Sequence, residues 1–323
     1  MPHLKFETLS NRAVSFLQQI EGKICIFHDD DADGVCGAAV VLAFLDQQGK
    51  SAENFCGDID EKNFKKYSKE NFDIAIFIDY PLADYPQFLD FFKGKKILIL
   101  DHHMPTNEIN SKEIIYLNPR FKKKDLYYCS THLAWDVCKA AGLNGLEWLM
   151  RLGSVGDHEI EGTTEENEAI DVVHAIQAIK KEDGMQKLAS DLSEFSKLSD
   201  FVYNPNYQKM KNILKKEIDR QINLFDLETP AKGIHFFEIK SSYSITSILA
   251  NTLFDLYPSR TIILYTKKNG GWNVSARSRK LDLNAAFKIA SKNIGSGGGH
   301  PVAAGARVSD FKIFRKRLLD VLK

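Results

Sequence analysis

A two-domain α/β protein is what this sequence predicts, and three observations carry that reading. Short apolar, β-branched runs alternate with stretches of helical periodicity through the first half of the chain, the pattern of a parallel sheet with helices on its faces. A charge-rich stretch with apolar residues at helical spacing and few breakers then runs from about residue 165 to 225. After Pro230, strand-like and helix-like runs resume. The 323 residues suffice for two cores at about 100–200 residues per domain.

Taken in order, residues 23–28 (KICIFH) read as a strand, about 35–48 as a helix, 73–79 as a strand, 85–93 as a helix, and 96–100 and 114–117 as strands. Helical periodicity at 129–141 and 146–152 completes a first domain placed at 1–160, and 161–228 reads as a helical connector. The second, smaller α/β domain, 229–323, is expected to contain strand 234–239, helix 245–256, strands 261–266 and 271–276, and helix 283–294. The loop SGGGHPVAAGA and a last amphipathic helix from Phe311 follow. The sequence holds no internal repeat and no low-complexity tract.

Lysine plus arginine and aspartate plus glutamate each number 43, so no global field attracts polyanions. Nucleic acid would have to be held by local patches such as Arg120-Phe121-Lys122-Lys123-Lys124, 209–216 and 277–280, although a charged run is more often just a solvated face. Five cysteines without a C-x-x-C pair suit a reducing compartment. No signal-peptide core is evident, and the longest apolar run, 38–45, is too short to span a bilayer. The expectation is a cytoplasmic protein with no membrane partner.

Chemistry gathers where the strands end. In open α/β sheets ligands collect outside the carboxyl ends of the strands. Here the first strand runs into Asp29-Asp30-Asp31-Ala32-Asp33, the strand at 73–79 ends on Asp79, and the strand at 96–100 leads into Asp101-His102-His103. Asp157 follows the small-residue turn Gly153-Ser154-Val155-Gly156. Singly each is ordinary, since Asp-Gly after a strand is commonly a turn or a helix N-cap. Together they are costly, because crowded carboxylates at a partly buried edge repel unless a cation sits among them. Oxygen and imidazole donors without thiolate favour Mn²⁺ or Mg²⁺, and the number of carboxylates allows two ions sharing a bridging aspartate. In the second domain Gly297-Gly298-Gly299-His300 could bring backbone N–H groups to an anion, and Ser275, Arg277 and Ser278 end a strand with donors suited to phosphate.

The segments DDDADG (29–34), FIDYP around Asp79, LDHHM around His102, SVGDHE around Asp157 and GGGHPVAAGA (297–306) resemble, in order and approximate spacing, the DHH phosphoesterase superfamily with its DHH-associated C-terminal domain. The resemblance covers nearly the whole chain apart from the helical connector. It implies a two-Mn²⁺ phosphodiesterase or phosphatase, with Mg²⁺ as the alternative metal, working in the cleft between the domains. It further implies Asp31, Asp33, Asp79, His102 and Asp157 as metal ligands, Asp79 bridging, and Asp29 as the sixth, with His28 its alternative. His103 would contact the substrate phosphate or protonate the leaving oxygen, Asp101 would orient the histidines, and Arg277 and His300 would grip a phosphate.

Many superfamily members place a histidine four residues before the paired aspartates, where this chain has Phe27; the D-x-D-x-D-G spacing resembles RecJ-type exonucleases instead. The chain ends about twenty residues after the glycine loop, which resembles the compact plan of NrnA-like and small RecJ-like enzymes. The implied activity is a single-strand exonuclease or oligoribonuclease releasing mononucleotides from short RNA or DNA. The alternative is a small-molecule phosphoesterase on a cyclic dinucleotide or 3′-phosphoadenosine phosphate. A non-catalytic replication scaffold ranks lowest, because no presumed ligand is missing; a homodimer or contacts with replication and repair proteins are compatible with the resemblance.

Overall fold

A computed structural model describes residues 5–124, 126–227, 229–231, 233–268 and 270–321. It divides into two compact units, 1–211 and 212–323. The first is built on five parallel strands, β1 (Ile24–His28), β2 (Ala52–Cys56), β3 (Ile74–Ile78), β4 (Lys96–Leu100) and β5 (Ile114–Leu117), in the order β2-β1-β3-β4-β5. Both faces of this sheet are covered, so β1, β3 and β4 read as unbroken apolar runs instead of alternating ones. Successive side chains still part company: Ile24, Ile26, Ile76, Ile78, Leu98 and Leu100 enter an aliphatic core, while Cys25, Phe27, Ala75, Phe77, Ile97 and Ile99 enter an aromatic one. Phe27 and Phe77 stack at 4.9 Å across adjacent strands in the second core.

The aliphatic face is roofed by α1 (Phe6–Gln18), α2 (Ala32–Gln47), α4 (Ser130–Ala141), α5 (Glu147–Gly156) and α6 (Thr164–Glu194), and the aromatic face by α3 (Glu61–Tyr67) and the 3₁₀ turn Pro86–Phe92. The expected helix at 85–93 is thus a 3₁₀ helix, with Pro86 at its start. Strand order reverses between β1 and β3, which makes their carboxyl ends the topological switch point.

The region expected as a connector is helical, forming α6, α7 (Leu198–Val202) and α8 (Pro205–Phe225). Ala169, Val172, Val173, Ile176, Met185, Leu188 and Leu192 of α6 are buried in the first unit's aliphatic core, so this segment completes that core. The expected turn at Gly153-Ser154-Val155-Gly156 is instead the last turn of α5. Its glycines are packing devices: a Cβ on Gly153 would lie 2.3 Å from Thr131 Oγ1, and one on Gly156 would lie 2.4 Å from the Ala32 Cβ.

The second unit holds a mixed sheet, β6 (Ile234–Glu238), β7 (Thr261–Lys268), β8 (Gly271–Arg277), β10 (Ala303–Val308) and β9 (Gly295–His300) in that spatial order. Helices α9 (Thr246–Leu256), α10 (Leu283–Ser291) and α11 (Phe311–Val321) complete it. The expected glycine loop is an antiparallel hairpin, with Ala303 opposite His300 and Ala304 opposite Gly299. Glycine is needed there because Gly299 sits at φ +145°, where a Cβ would fall 2.6 Å from the Ala303 carbonyl oxygen. Among the described residues no helix is long and apolar enough to cross a membrane.

Candidate metal centre

Three strand ends and two helix starts converge on the carboxyl rim of the parallel sheet. Helix α2 begins inside the acidic segment, three residues earlier than expected, because Asp31 caps it by accepting from Gly34 N at 2.9 Å. That start places Asp33 in the first helical turn, 1 % exposed. Asp79 leaves β3 at φ +61°, a left-handed conformation that aspartate tolerates better than most residues, and is 2 % exposed.

The side chains form three overlapping groups whose ligand atoms lie within 4.8 Å of one another: Asp29, Asp31 and Asp79; Asp79, His102 and His103; Asp33, His102 and Asp157. Asp79 belongs to two groups and His102 to two, so the six residues expected as ligands are brought together, with His103 beside them. His28 belongs to none of them. It is fully buried, with Nδ1 donating to the Asp29 carbonyl at 2.8 Å and Nε2 facing Asn54 Oδ1 at 3.3 Å, which makes Asp29 the residue that faces the centre.

Electrostatics mark the centre as incomplete without a cation. Burial and then Asp31 push Asp29 up to about 7 and Asp33 up to about 6, and burial with Asp33 and Asp31 raises Asp79 well above the ordinary carboxylate range. Burial also raises Asp157. His102 lies with Nε2 3.3 Å from Asp79 Oδ1 and Nδ1 3.5 Å from Asp157 Oδ2, yet its buried Nδ1 makes no hydrogen bond. A buried ring nitrogen aimed among carboxylates and left without a partner fits a missing positive centre. Carboxylate and imidazole donors without thiolate fit a hard divalent ion.

The neighbouring residues that hold this arrangement escaped the sequence reading. The N-terminus of α4 receives Asp33, with Ser130 N donating at 2.8 Å and Thr131 N at 2.7 Å to its two carboxylate oxygens. Ser130 Oγ also donates to Asp79 Oδ1 at 3.0 Å, so one residue holds carboxylates from two elements. Tyr127 OH donates to Asp157 Oδ2 at 2.9 Å, and its ring lies edge-on to His102.

Residues at the end of β5 clamp the His102-His103 turn. Asn118 Nδ2 donates to the His103 carbonyl at 2.8 Å and Arg120 Nε to the His102 carbonyl at 2.8 Å. Tyr116 OH donates to Asp101 Oδ2 at 2.7 Å, while Asp101 Oδ1 pairs with His103 Nδ1 at 2.8 Å. Asp101 therefore orients His103, and His102 is left to the rim. Burial alone would raise Asp101, but the bonds from His103 and Tyr116 hold it below the ordinary range. His103, fixed by that bond, is raised to about 9. Tyr116, Asn118, Tyr127, Ser130 and Thr131 stand in no motif, and Arg120 stands only in a basic run; side chains and backbone donors 15 to 98 positions from their partners leave no local spacing to read.

In the second unit the register aligns Arg277, Ala303 and His300 across β8, β10 and β9. Arg277 is half-buried, which lowers its pKa, and Nε donates to Asn251 Oδ1 at 2.9 Å while Nη1 reaches Ser275 Oγ at 3.3 Å. His300 and Gly299 are exposed and Gly297 and Gly298 half-buried. Ser278, expected among the phosphate donors, is fully buried instead: its Oγ pairs with Thr261 Oγ1 and accepts from the backbone of Lys280 and Leu281, closing the turn after β8.

Comparison with known proteins agrees with this fold. The DHH family N-terminal domain matches residues 23–152 and the DHHA1 domain residues 232–323. Among solved structures, RecJ in complex with Mn²⁺ from Thermus thermophilus is similar over all of this chain at 15 % identity and a TM-score of 0.73; this chain spans 55 % of that one. An exonuclease RecJ bound to manganese matches at 16 % identity and a TM-score of 0.66, with 100 % of this chain and 95 % of that one covered. The pGpG-specific phosphodiesterase PggH from Vibrio cholerae matches at 12 % identity and a TM-score of 0.52, covering 93 % of this chain and 98 % of that one. No curated protein matches this chain. With both of its domains matched in order and its strand ends carrying the signature residues, the chain belongs to the DHH family and carries a C-terminal DHHA1 domain.

Proposed function

We propose that this protein is a manganese-dependent phosphodiesterase that degrades short single-stranded RNA or DNA to mononucleotides. The observation that carries the reading is the convergence of Asp29, Asp31, Asp33, Asp79, His102 and Asp157 at one sheet rim, with the buried Nδ1 of His102 unpaired among them. These six residues would hold two divalent cations, with Asp79 shared by two of the three ligand groups. Bound there, the cations would supply Lewis acidity, polarising the phosphoryl oxygen and lowering the pKa of attacking water.

The protein's own groups do the rest. Asp101 holds His103 through Nδ1, leaving Nε2 of this half-exposed ring to donate a proton to the departing oxygen. Ser130, Thr131 and Tyr127 keep Asp33, Asp79 and Asp157 from turning away when charge develops. The second unit, taken by itself, presents Arg277 and His300 as donors suited to phosphate, with Ser275 steadying the guanidinium.

Similarity to PggH favours a second reading, in which the substrate is a dinucleotide-sized diester. Purified protein with Mn²⁺ should convert a labelled five-nucleotide RNA to mononucleotides, and an Asp79→Ala variant should not. Turnover of a dinucleotide with an untouched pentamer would select the second reading, and inert wild-type protein on every oligomer would end both.

A further inference from the structure

The amino-terminal ends of the same strands build a second concave site. One face of α1, carrying Arg12 and Phe16 at helical spacing, together with Ile20 just beyond its end, stands over the starts of β3, β4 and β5 and encloses a cavity of about 650 Å³. That volume lies within the range of small-molecule sites, roughly 300–1,000 Å³. Five-residue strands separate it from the carboxyl rim by about 16 Å, so the two sites share a sheet and no lining residue.

The floor is apolar, formed by Phe16, Ile20, Ile74 and Ile115, while the mouth carries Arg12, Lys96 and Lys112 against one carboxylate, Glu113. Arg12 Nη2 donates to the Ser111 carbonyl at 2.7 Å, which fixes the guanidinium at the wall. Among the described residues neither Lys96 nor Lys112 has a carboxylate within ion-pair distance. Three cations around an apolar floor suit a ligand with a doubly charged anionic end and a flat ring.

We propose that this cavity binds a nucleoside 5′-monophosphate, phosphate on Arg12, Lys96 and Lys112 and base on the Phe16–Ile115 floor, independently of the cation centre. Calorimetric titration of the full chain with AMP in EDTA should show one site per chain. The affinity should persist in Asp79→Ala and fall at least tenfold in Lys96→Glu/Lys112→Glu, whose exposed positions leave folding intact by circular dichroism. Inorganic phosphate should bind the wild type at least tenfold more weakly than AMP. Absence of AMP binding, equal affinity in the double variant, or loss of binding in Asp79→Ala would overturn the proposal, and equal affinity for phosphate and AMP would overturn the role of the floor.

Discussion

Two sets of buried carboxylates in the first unit are shifted in opposite directions. At the carboxyl rim Asp29, Asp33 and Asp79 are raised by burial and by one another. Where α5 meets α6, Glu166 is 5 % exposed yet lowered, because Arg151 grips both of its oxygens and Thr163 N donates to one of them at 2.8 Å. Burial is common to both; the difference lies in who supplies the counter-charge. At α6 the chain supplies its own, and the carboxylate stabilises the fold. At the rim His102 and His103 offset only part of the repulsion among Asp29, Asp31, Asp33 and Asp79, and an added cation would relieve the rest.

The sharpest way to break this contrast is Asp79→Asn. Asparagine tolerates the left-handed backbone at this position, so the change removes charge and spares geometry. Hydrolysis is expected to fall by at least about 10³-fold, the equivalent of several kcal/mol of transition-state stabilisation, in single-turnover assays with Mn²⁺. The metal-free variant should nonetheless melt above the metal-free wild type. A lower melting point would mean that Asp79 is a satisfied carboxylate like Glu166.

Cation binding should then stabilise the wild type by about 2.7 kcal/mol at a hundredfold excess over Kd, and leave Asp79→Asn almost unmoved. The pH dependence carries the same sign. Carboxylates whose folded pKa is raised bind more protons folded than unfolded, so stability is present below the ordinary carboxylate range and lost as pH rises through the raised values. Metal-free wild type should therefore gain stability when acidified from pH 8 through about 7 and 6, the values of Asp29 and Asp33. Urea titrations in EDTA and in Mn²⁺ check both expectations.

Ser130→Ala tests how the rim is held open for its cation. The variant keeps the backbone N–H groups that bind Asp33 and removes only the hydroxyl on Asp79. Mn²⁺ affinity should drop about 10- to 100-fold, the usual effect of losing a hydrogen bond to a ligand, read by calorimetry in the absence of substrate. Unchanged affinity would leave Ser130 a helix start and nothing more.

How much of this was legible in the sequence follows from where each residue does its work. Strands β1, β3, β4 and β5 could be read because burial on both faces writes an unbroken apolar run, and Asp79, Asp101 and His102 could be read because they directly follow such runs. Helix α1, strand β2 and helix α3 were not read: β2, Ala-Glu-Asn-Phe-Cys, is a half-exposed edge strand without apolar continuity. The β9 glycines lack side chains, so a strand there writes no alternation and passes for a loop. Ser130, Tyr116, Asn118 and Arg120 act through hydrogen bonds across long separations, which only the fold reveals.

The smallest expected effect completes the contrast from the other side. Glu166→Gln keeps the shape of the capping box but removes the charge that faces Arg151, and should cost about 1–2 kcal/mol at pH 7, as lost caps and charged hydrogen bonds do. Because the folded pKa of Glu166 is depressed, its contribution is present above the ordinary glutamate range and fades as pH falls through the lowered value. Acidification should therefore close the gap between variant and wild type, while the same acidification strengthens the metal-free rim. Urea midpoints of the two proteins at pH 7 and pH 3 in EDTA decide it: a gap that stays constant would mean that packing, and not the Arg151 pairing, is what Glu166 contributes.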